Sequence, residues 1–286
     1  MSTPALLAAS REITMPYVQL EARENAAPLS IRYEFIGGRT ATPLVLVHEF
    51  GGSLQTFDAF ASAVGQAVPI VAFDGRAAGL SEKPAAPFTL WDLAQDIERL
   101  ADALSLARPF HLMGLAMGAV TALHYAVRHS REVASLVLCD GTSDINGAAR
   151  QYLLDHAASV RKGGMRLVAD QIFKNSFRGL PNPLQNPSWA NYRQQFLGNS
   201  PDGYAMQSEA LAGLNLTTDD LSKVRCRTLV LTGQHDSVWS PAVGQALASK
   251  LPNACFEIAE NASHFPPLQA TEQVAERVLR FLKEAP

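Results

Sequence analysis

The sequence predicts an α/β fold: a mostly parallel central sheet flanked by helices, with an inserted helical cap. Three observations predict it. Short, continuous apolar runs bounded by turn residues recur along the chain, the segments between them carry apolar residues at helical spacing, and this alternation stops over one long central stretch. Runs of Val, Leu and Ile without polar alternation suit strands covered on both faces, because neither face meets water.

The first two β-rich stretches, residues 17–22 and 31–36, are separated by polar, proline-containing sequence and predict an N-terminal antiparallel pair, after which Gly37 and Gly38 turn the chain. The apolar runs at 44–47, 70–73, 110–113, 136–139, 229–232 and 255–258 predict the remaining strands. Between them, residues 89–100 place Leu90, Leu93, Ile97 and Leu100 on one face behind a Thr89/Asp92 pair that resembles a capping box. A second helix is predicted from about 117 to 129. A terminal one over 273–284 turns Val274, Val278, Leu279 and Phe281 inward.

From 141 to 222 the strand signal disappears, and helices are predicted over 150–160, 165–177 and 204–214, interrupted by the turn-rich segment 179–187. The chain therefore divides into a core of residues 1–140 and 223–286 and a helical cap of residues 141–222. With no repeat, low-complexity tract or flexible linker, the cap is expected to pack on the core.

With 286 residues, 47% hydrophobic and 18% charged, the chain has the composition of a folded protein with a large core. A net charge of -3, with Lys and Arg scattered, gives no electrostatic case for nucleic acid or for a membrane surface. The expected partner is a small molecule; monomer and homodimer are not distinguished. Cys139, Cys226 and Cys255 lack metal-ligand spacing and are expected to be reduced, mostly buried thiols. Arg11, Glu12 and Pro16 interrupt any secretory-signal pattern and no apolar run approaches the ~18 residues of a membrane span, so a cytoplasmic location is expected.

The chemistry-bearing segment is Gly114-Leu-Ala-Met-Gly118, which follows an apolar run and opens a helix. This is the pattern Gly-x-Ser-x-Gly of a nucleophile elbow, a sharp strand-to-helix turn that presents a reactive serine, except that Ala116 stands at the serine position. A methyl group forms no acyl-enzyme. Downstream, Asp236 follows the 229–232 run and His264 follows the 255–258 run, giving the order nucleophile, acid, histidine. Asp140, after the 136–139 run, is the competing acid. Of the other histidines, His124 on the helix after the elbow is expected to serve packing, and His129, His156 and His235 are expected to be solvated. Residues 48–52, His-Glu-Phe-Gly-Gly, occupy the place of an oxyanion loop, where the backbone N–H groups of Phe50 and Met117 are expected to converge. Glu49 is unusual there: it either braces the loop or approaches the substrate, where its charge would repel an oxyanion unless protonated.

These residues resemble the α/β-hydrolases, in particular the 3-oxoadipate enol-lactonases, over nearly the whole chain. Residues 73–84 resemble the family's Asp-x-Arg-Gly-x-Gly-x-Ser loop with Ala77 in place of a usual glycine, and residues 160–165 and 199–204 resemble enol-lactonase cap sequences. The resemblance implies hydrolysis of a small lactone or ester without metal or organic cofactor. Arg161, Arg166, Arg178 and Arg193 are candidates for a carboxylate clamp. His48, Glu49, Arg193, Trp189 and Phe265 are the candidate substrate contacts. The leading expectation is a serine-hydrolase scaffold in its nucleophile-to-alanine form, which binds substrate without turning it over. Two alternatives stay open: a non-hydrolytic enzyme of the same fold (oxygenase, lyase or isomerase) that uses the His264–Asp236 dyad, and a ligand-binding pseudoenzyme.

Overall fold

The computed structural model describes residues 16–23, 26–38, 41–180 and 187–283. The interrupted segment at Arg11 and Glu12, and most of the turn expected over 179–187, lie outside these residues.

Among the described residues eight strands form one sheet: β1 (Tyr17–Leu20), β2 (Leu29–Ile36), β3 (Leu44–Val47), β4 (Ile70–Phe73), β5 (Phe110–Leu115), β6 (Val133–Cys139), β7 (Arg227–Gly233) and β8 (Ala254–Ala259). They lie in the order β1-β2-β4-β3-β5-β6-β7-β8, with β1/β2 and β2/β4 antiparallel and the other pairs parallel. Every expected strand is present within a few residues. Side-chain alternation splits the core between the two faces. Val45, Val47, Val71, Phe73, Leu112 and Leu138 turn to one side, and Leu44, Leu46, Ile70, Ala72, Met113 and Leu115 to the other.

The first face is covered by α2 (Leu90–Ala103) and α3 (Met117–His129). The opposite face is covered by α1 (Asp58–Val64) and α11 (Thr271–Lys283), which pack against each other. In α2 the expected capping box is formed, with Thr89 accepting from the Asp92 N–H and Asp92 accepting from the Thr89 N–H. Between β6 and β7 come α4 (Gly147–Gly163), α5 (Met165–Ser176), α6 (Pro187–Leu197), α7 (Pro201–Ala212) and α8 (Thr218–Ser222), of which α4 and α7 pack closely on each other. After β7, α9 (Pro241–Lys250) leads to β8 and the short α10 (Pro266–Gln269) leads to α11. The helices α1, α6, α8, α9 and α10 were not anticipated individually.

The strand order fixes where a site belongs. From β3 the chain moves outward to β4 on one side, then returns to β5 on the other, so the connections diverge at the carboxyl ends of β3 and β5. Such a switch point leaves a crevice that neither crossover fills. The loop 48–52 leaves β3 there and Ala116 leaves β5 there.

Candidate active site

The turn at Ala116 is a true elbow. Ala116 has φ 50° and ψ −115°, a conformation that costs a non-glycine residue about 1–3 kcal/mol and persists only where its surroundings impose it. Two close approaches impose it. A Cβ on Gly114 would lie 2.2 Å from the Gly118 carbonyl oxygen, and one on Gly118 would lie 2.0 Å from the carbonyl oxygen of Val47 on β3. The Ala116 N–H donates to the Cys139 carbonyl of β6 at 2.8 Å, and its carbonyl accepts from Val120 in the first turn of α3. The methyl group of Ala116 faces a cavity of about 200 Å³, with the positive end of the α3 dipole beneath it.

His264 and Asp236 meet at that cavity. His264 Nδ1 lies 2.9 Å from Asp236 Oδ2, while Asp236 Oδ1 accepts the N–H groups of Val238 at 2.7 Å and Trp239 at 3.1 Å. The carboxylate can only accept, so Nδ1 carries a proton, and in the neutral ring Nε2 keeps its lone pair for the other side. Burial alone would raise the Asp236 pKa, but the His264 contact and the hydrogen bonds outweigh it and hold the group below the ordinary carboxylate value. The imidazole is fixed on its remaining sides. Trp239 meets it edge-on at 5.7 Å, and the His264 backbone N–H donates to the Ser176 carbonyl at the end of α5. Gln269 ties the loop together, accepting from the N–H groups of Ser263 and Phe265 and donating to that same Ser176 carbonyl.

The loop 48–52 forms the third wall. Phe50 and Met117 both line the cavity beside Ala116 and His264. The Met117 N–H belongs to the first turn of α3, where backbone donors have no intrahelical partner. His48, expected as a substrate contact, turns both ring nitrogens to the backbone: Nδ1 to the Glu49 carbonyl at 2.8 Å and Nε2 to the Gly75 N–H at 2.9 Å. It braces the loop and does not line the cavity. The cap supplies the other braces, which the sequence reading missed. Gln207 accepts the Gly51 N–H, Asn199 donates to the Gly51 carbonyl, and the Phe50 ring stacks on Tyr204 at 4.1 Å. Gly51, with φ +74°, is seated against Tyr204 and Phe196, where any Cβ would fall 2.6 Å from the tyrosine ring.

Glu49 is at once brace and cavity wall. Its Oε1 accepts from the Thr56 hydroxyl at 2.9 Å, and Gly52 passes so close that a Cβ there would lie 2.0 Å from that oxygen. Glu49 Oε2 and the hydroxyl of its buried neighbour Tyr192 both lack a well-formed hydrogen bond. Burial raises the Glu49 pKa above the ordinary value, against the opposing pull of His48, Thr56 and Tyr192.

The remaining walls are Ile145, Ala149, Tyr152, Leu153 and His156 from α4 and its lead-in, Ile172, Asn175 and Ser176 from α5, Leu211 from α7, and Val238, Trp239 and Phe265 from the core. Phe265 is thus in the wall. Trp189 is not, since it packs on Phe173 and Phe177 within the cap. Arg193 faces outward toward Asp170 at 3.4 Å, Arg161 pairs with Glu209 on α7, and Arg166 and Arg178 are exposed, so none of the four arginines reaches the cavity. His156, read from sequence as solvated, is buried instead, with Nε2 3.0 Å from the Tyr204 hydroxyl. The 73–84 segment is structural. Buried Asp74 accepts from the N–H groups of Leu54 and Leu80, and Ala77 has φ 66°, which explains why glycine is usual there.

No helix of the described residues is long and apolar enough to cross a membrane. What the arrangement offers chemically is an imidazole oriented by a carboxylate, facing a mainly apolar pocket beside a strained turn and a helix N-terminus.

Comparison with known proteins agrees with this geometry. The chain is similar to 3-oxoadipate enol-lactonase 2 of Acinetobacter baylyi, at 23% identity over 271 residues that cover 93% of this chain and 99% of that protein. Among solved structures it is similar to a thermophilic esterase from Thermogutta terrifontis, with a TM-score of 0.86 and 26% identity over 94% of this chain and 98% of that one. It is equally similar to the enol-lactonase from Burkholderia xenovorans, with a TM-score of 0.86 and 26% identity over 94% of this chain and 100% of that one. Residues 42–271 match the family model for the alpha/beta hydrolase fold, and the chain belongs to that family.

Proposed function

We propose that the chain is the serine-free form of a hydrolase acting on a small, uncharged, mainly apolar ester or lactone, which it binds without turning over. The observation that carries this reading is the His264–Asp236 pair, complete in geometry and tautomer, beside an elbow that keeps its strained backbone around Ala116. With a serine oxygen at position 116, His264 Nε2 would take its proton as the oxygen attacked the carbonyl carbon. The N–H groups of Phe50 and Met117 would receive the developing negative charge. Protonated His264 would then give its proton to the leaving alkoxide, and water would repeat the sequence on the acyl-enzyme. Without the oxygen only binding remains.

The uncharged substrate follows from the walls. Among the described residues, no lysine or arginine lines the cavity, and its nearest acidic group is a carboxyl that burial favours as the neutral form. A substrate carboxylate enclosed there would lose its hydration without gaining a cation, at a cost of several kcal/mol. This separates the chain from the substrate that a clamp of cap arginines would suit. The test compares p-nitrophenyl butyrate with the mono-p-nitrophenyl ester of succinate in the Ala116→Ser variant. The butyrate ester is expected to be preferred at least tenfold in kcat/KM, and Ile172→Arg is expected to narrow that gap. Preference for the acidic ester would overturn the substrate class, and turnover of neither ester would overturn the hydrolase reading.

A second reading has its own observation in Glu49, a buried carboxyl with an unpartnered oxygen on the wall shared with His264. A neutral imidazole and a protonated carboxyl on one cavity form a base and an acid for proton transfer next to a carbonyl, with no nucleophile required. That reading requires the chain as it stands to exchange a bound ketone's α-hydrogens with D2O, and His264→Ala to abolish the exchange. A bound ketone whose hydrogens do not exchange would exclude it.

A further inference from the structure

A second carboxyl lies behind the dyad. Asp140, the residue that follows β6, is fully buried, and it holds φ 46°, a left-handed conformation that asparagine and aspartate adopt more readily than other side chains except glycine. Its N–H donates to the Leu231 carbonyl and its Oδ1 accepts the Gly233 N–H at 2.9 Å, so the β7 backbone holds its main chain and one side-chain oxygen. Its other oxygen, Oδ2, has no donor. A polar atom from each of Asp140, Asp236 and His264 lies within 4.8 Å of the other two. Two carboxylates facing each other without a cation or a donor between them cannot both stay ionised, since each can only accept.

We infer that Asp140 carries the missing proton and donates it in a hydrogen bond to Asp236, making Asp140 a positioning residue for the dyad. Of the two acids the proton belongs on Asp140. Asp236 has the His264 N–H and two backbone N–H groups to support its charge, whereas Asp140 has one backbone N–H. Burial and the neighbouring Asp236 both push the Asp140 pKa well above the carboxylate range, the direction this arrangement requires. The titratable groups that face it are Asp236 from the loop after β7, His264 from the loop after β8 and the Cys139 thiol on its own strand; His264 alone among them can become a cation, and its Nδ1–H is already given to Asp236. The consequence for the dyad is twofold. A neutral donor fixes the orientation of Asp236, and it draws charge away from it without adding a second negative charge that would over-stabilise the imidazolium.

The experiment uses the chain as it exists, with Ala116 in place, and follows the titration midpoint of the His264 ring by NMR of labelled histidine, assigned by its loss in His264→Gln. Asp140→Asn keeps an acceptor for the Gly233 N–H and a donor for Asp236, and asparagine tolerates the left-handed backbone, so the midpoint is expected to stay within about 0.3 units. Were Asp140 ionised, the same substitution would remove a negative charge some 5 Å from the ring and lower the midpoint by about two units at an effective dielectric constant near 20. Asp140→Ala removes the donor altogether, leaves the Asp236 charge less delocalised, and is expected to raise the midpoint. In the Ala116→Ser background, Asp140→Asn is expected to retain the pH profile of ester hydrolysis and Asp140→Ala to displace its acidic limb upward. A large fall in the Asp140→Asn midpoint overturns the inference. So does an unmoved midpoint in Asp140→Ala, provided the variant gives the parent's far-UV circular dichroism.

Discussion

Replacing Glu49 by glutamine removes one proton-binding site from the floor of the cavity while keeping the volume and the acceptor for the Thr56 hydroxyl. The folded-state pKa of Glu49 is raised above its unfolded value, because burial penalises the carboxylate more than its neighbours support it. Below the unfolded value, near 4.5, both states are protonated and Glu49 costs the fold nothing by titrating. As pH rises past that point, the unfolded chain releases the proton while the folded chain keeps it. Stability is then lost at up to one proton's worth of linkage, on the order of 1 kcal/mol per pH unit, until Glu49 ionises in the folded state as well. Glutamine has no such term. The melting temperature of Glu49→Gln is therefore expected to exceed that of the parent by a margin that widens from about pH 4.5 upward. At roughly 2 °C per kcal/mol for a domain of this size, the widening is about 2–3 °C per pH unit. Scanning both proteins by differential scanning fluorimetry from pH 4.5 to 8 measures the margin directly, and contributions from Asp140 or Asp236 cancel in the difference. A margin that is flat across this range, or that shrinks as pH rises, would refute a buried, protonated Glu49.

Other expectations rest on different parts of the molecule. Gly118→Ala places a methyl group 2.0 Å from the Val47 carbonyl oxygen, a backbone-to-backbone conflict that no rotamer relieves, so it is expected to cost at least about 1–3 kcal/mol, seen as a lower urea midpoint, and to abolish ligand binding. Arg99→Met leaves Asp96 with one fewer cation and removes the donor to the carbonyls of Leu20, Glu21 and Ala27; it is expected to cost about 3–5 kcal/mol and to raise hydrogen exchange in β1 first. Asn199→Ala frees the Gly51 carbonyl and loosens the loop that carries Phe50, so in the serine-bearing variant it is expected to lower kcat more than it raises KM.

The strands and the dyad were legible in the sequence for a common reason: each is specified by local pattern. A doubly covered strand announces itself as an unbroken apolar run, and the elbow glycines, Asp236 and His264 each follow such a run at its carboxyl end. The cap helices were harder. On α6, Tyr192 and Phe196 sit four residues apart and form the buried face, but polar residues and a proline-rich lead-in mask that spacing. Their i,i+4 aromatic pairing was the available signal. His156 was misread because its burial comes from the packing of α4 on α7 and from Tyr204, a contact 48 residues away that no local pattern encodes. The arginines were misread in the opposite sense. Their place in the cap made them candidates for a clamp, yet Arg161 and Arg193 find acidic partners on the outer surface of the cap. For Glu49 the two readings drawn from sequence turned out to be compatible, because a single carboxyl both accepts from Thr56 and faces the cavity.

We propose that one oxygen atom separates this chain from a working hydrolase. Ala116→Ser supplies it at a position whose backbone is already held in the elbow conformation, beside an imidazole whose free nitrogen has no other task. Removing the nucleophile from a comparable triad lowers turnover about 10⁶-fold in a serine protease, so the reverse substitution is expected to raise hydrolysis of p-nitrophenyl butyrate by several orders of magnitude over the parent chain. A burst of p-nitrophenol equal to the enzyme concentration would mark the acyl-enzyme. A folded Ala116→Ser protein that binds the ester and yet releases p-nitrophenol no faster than the parent would contradict the account.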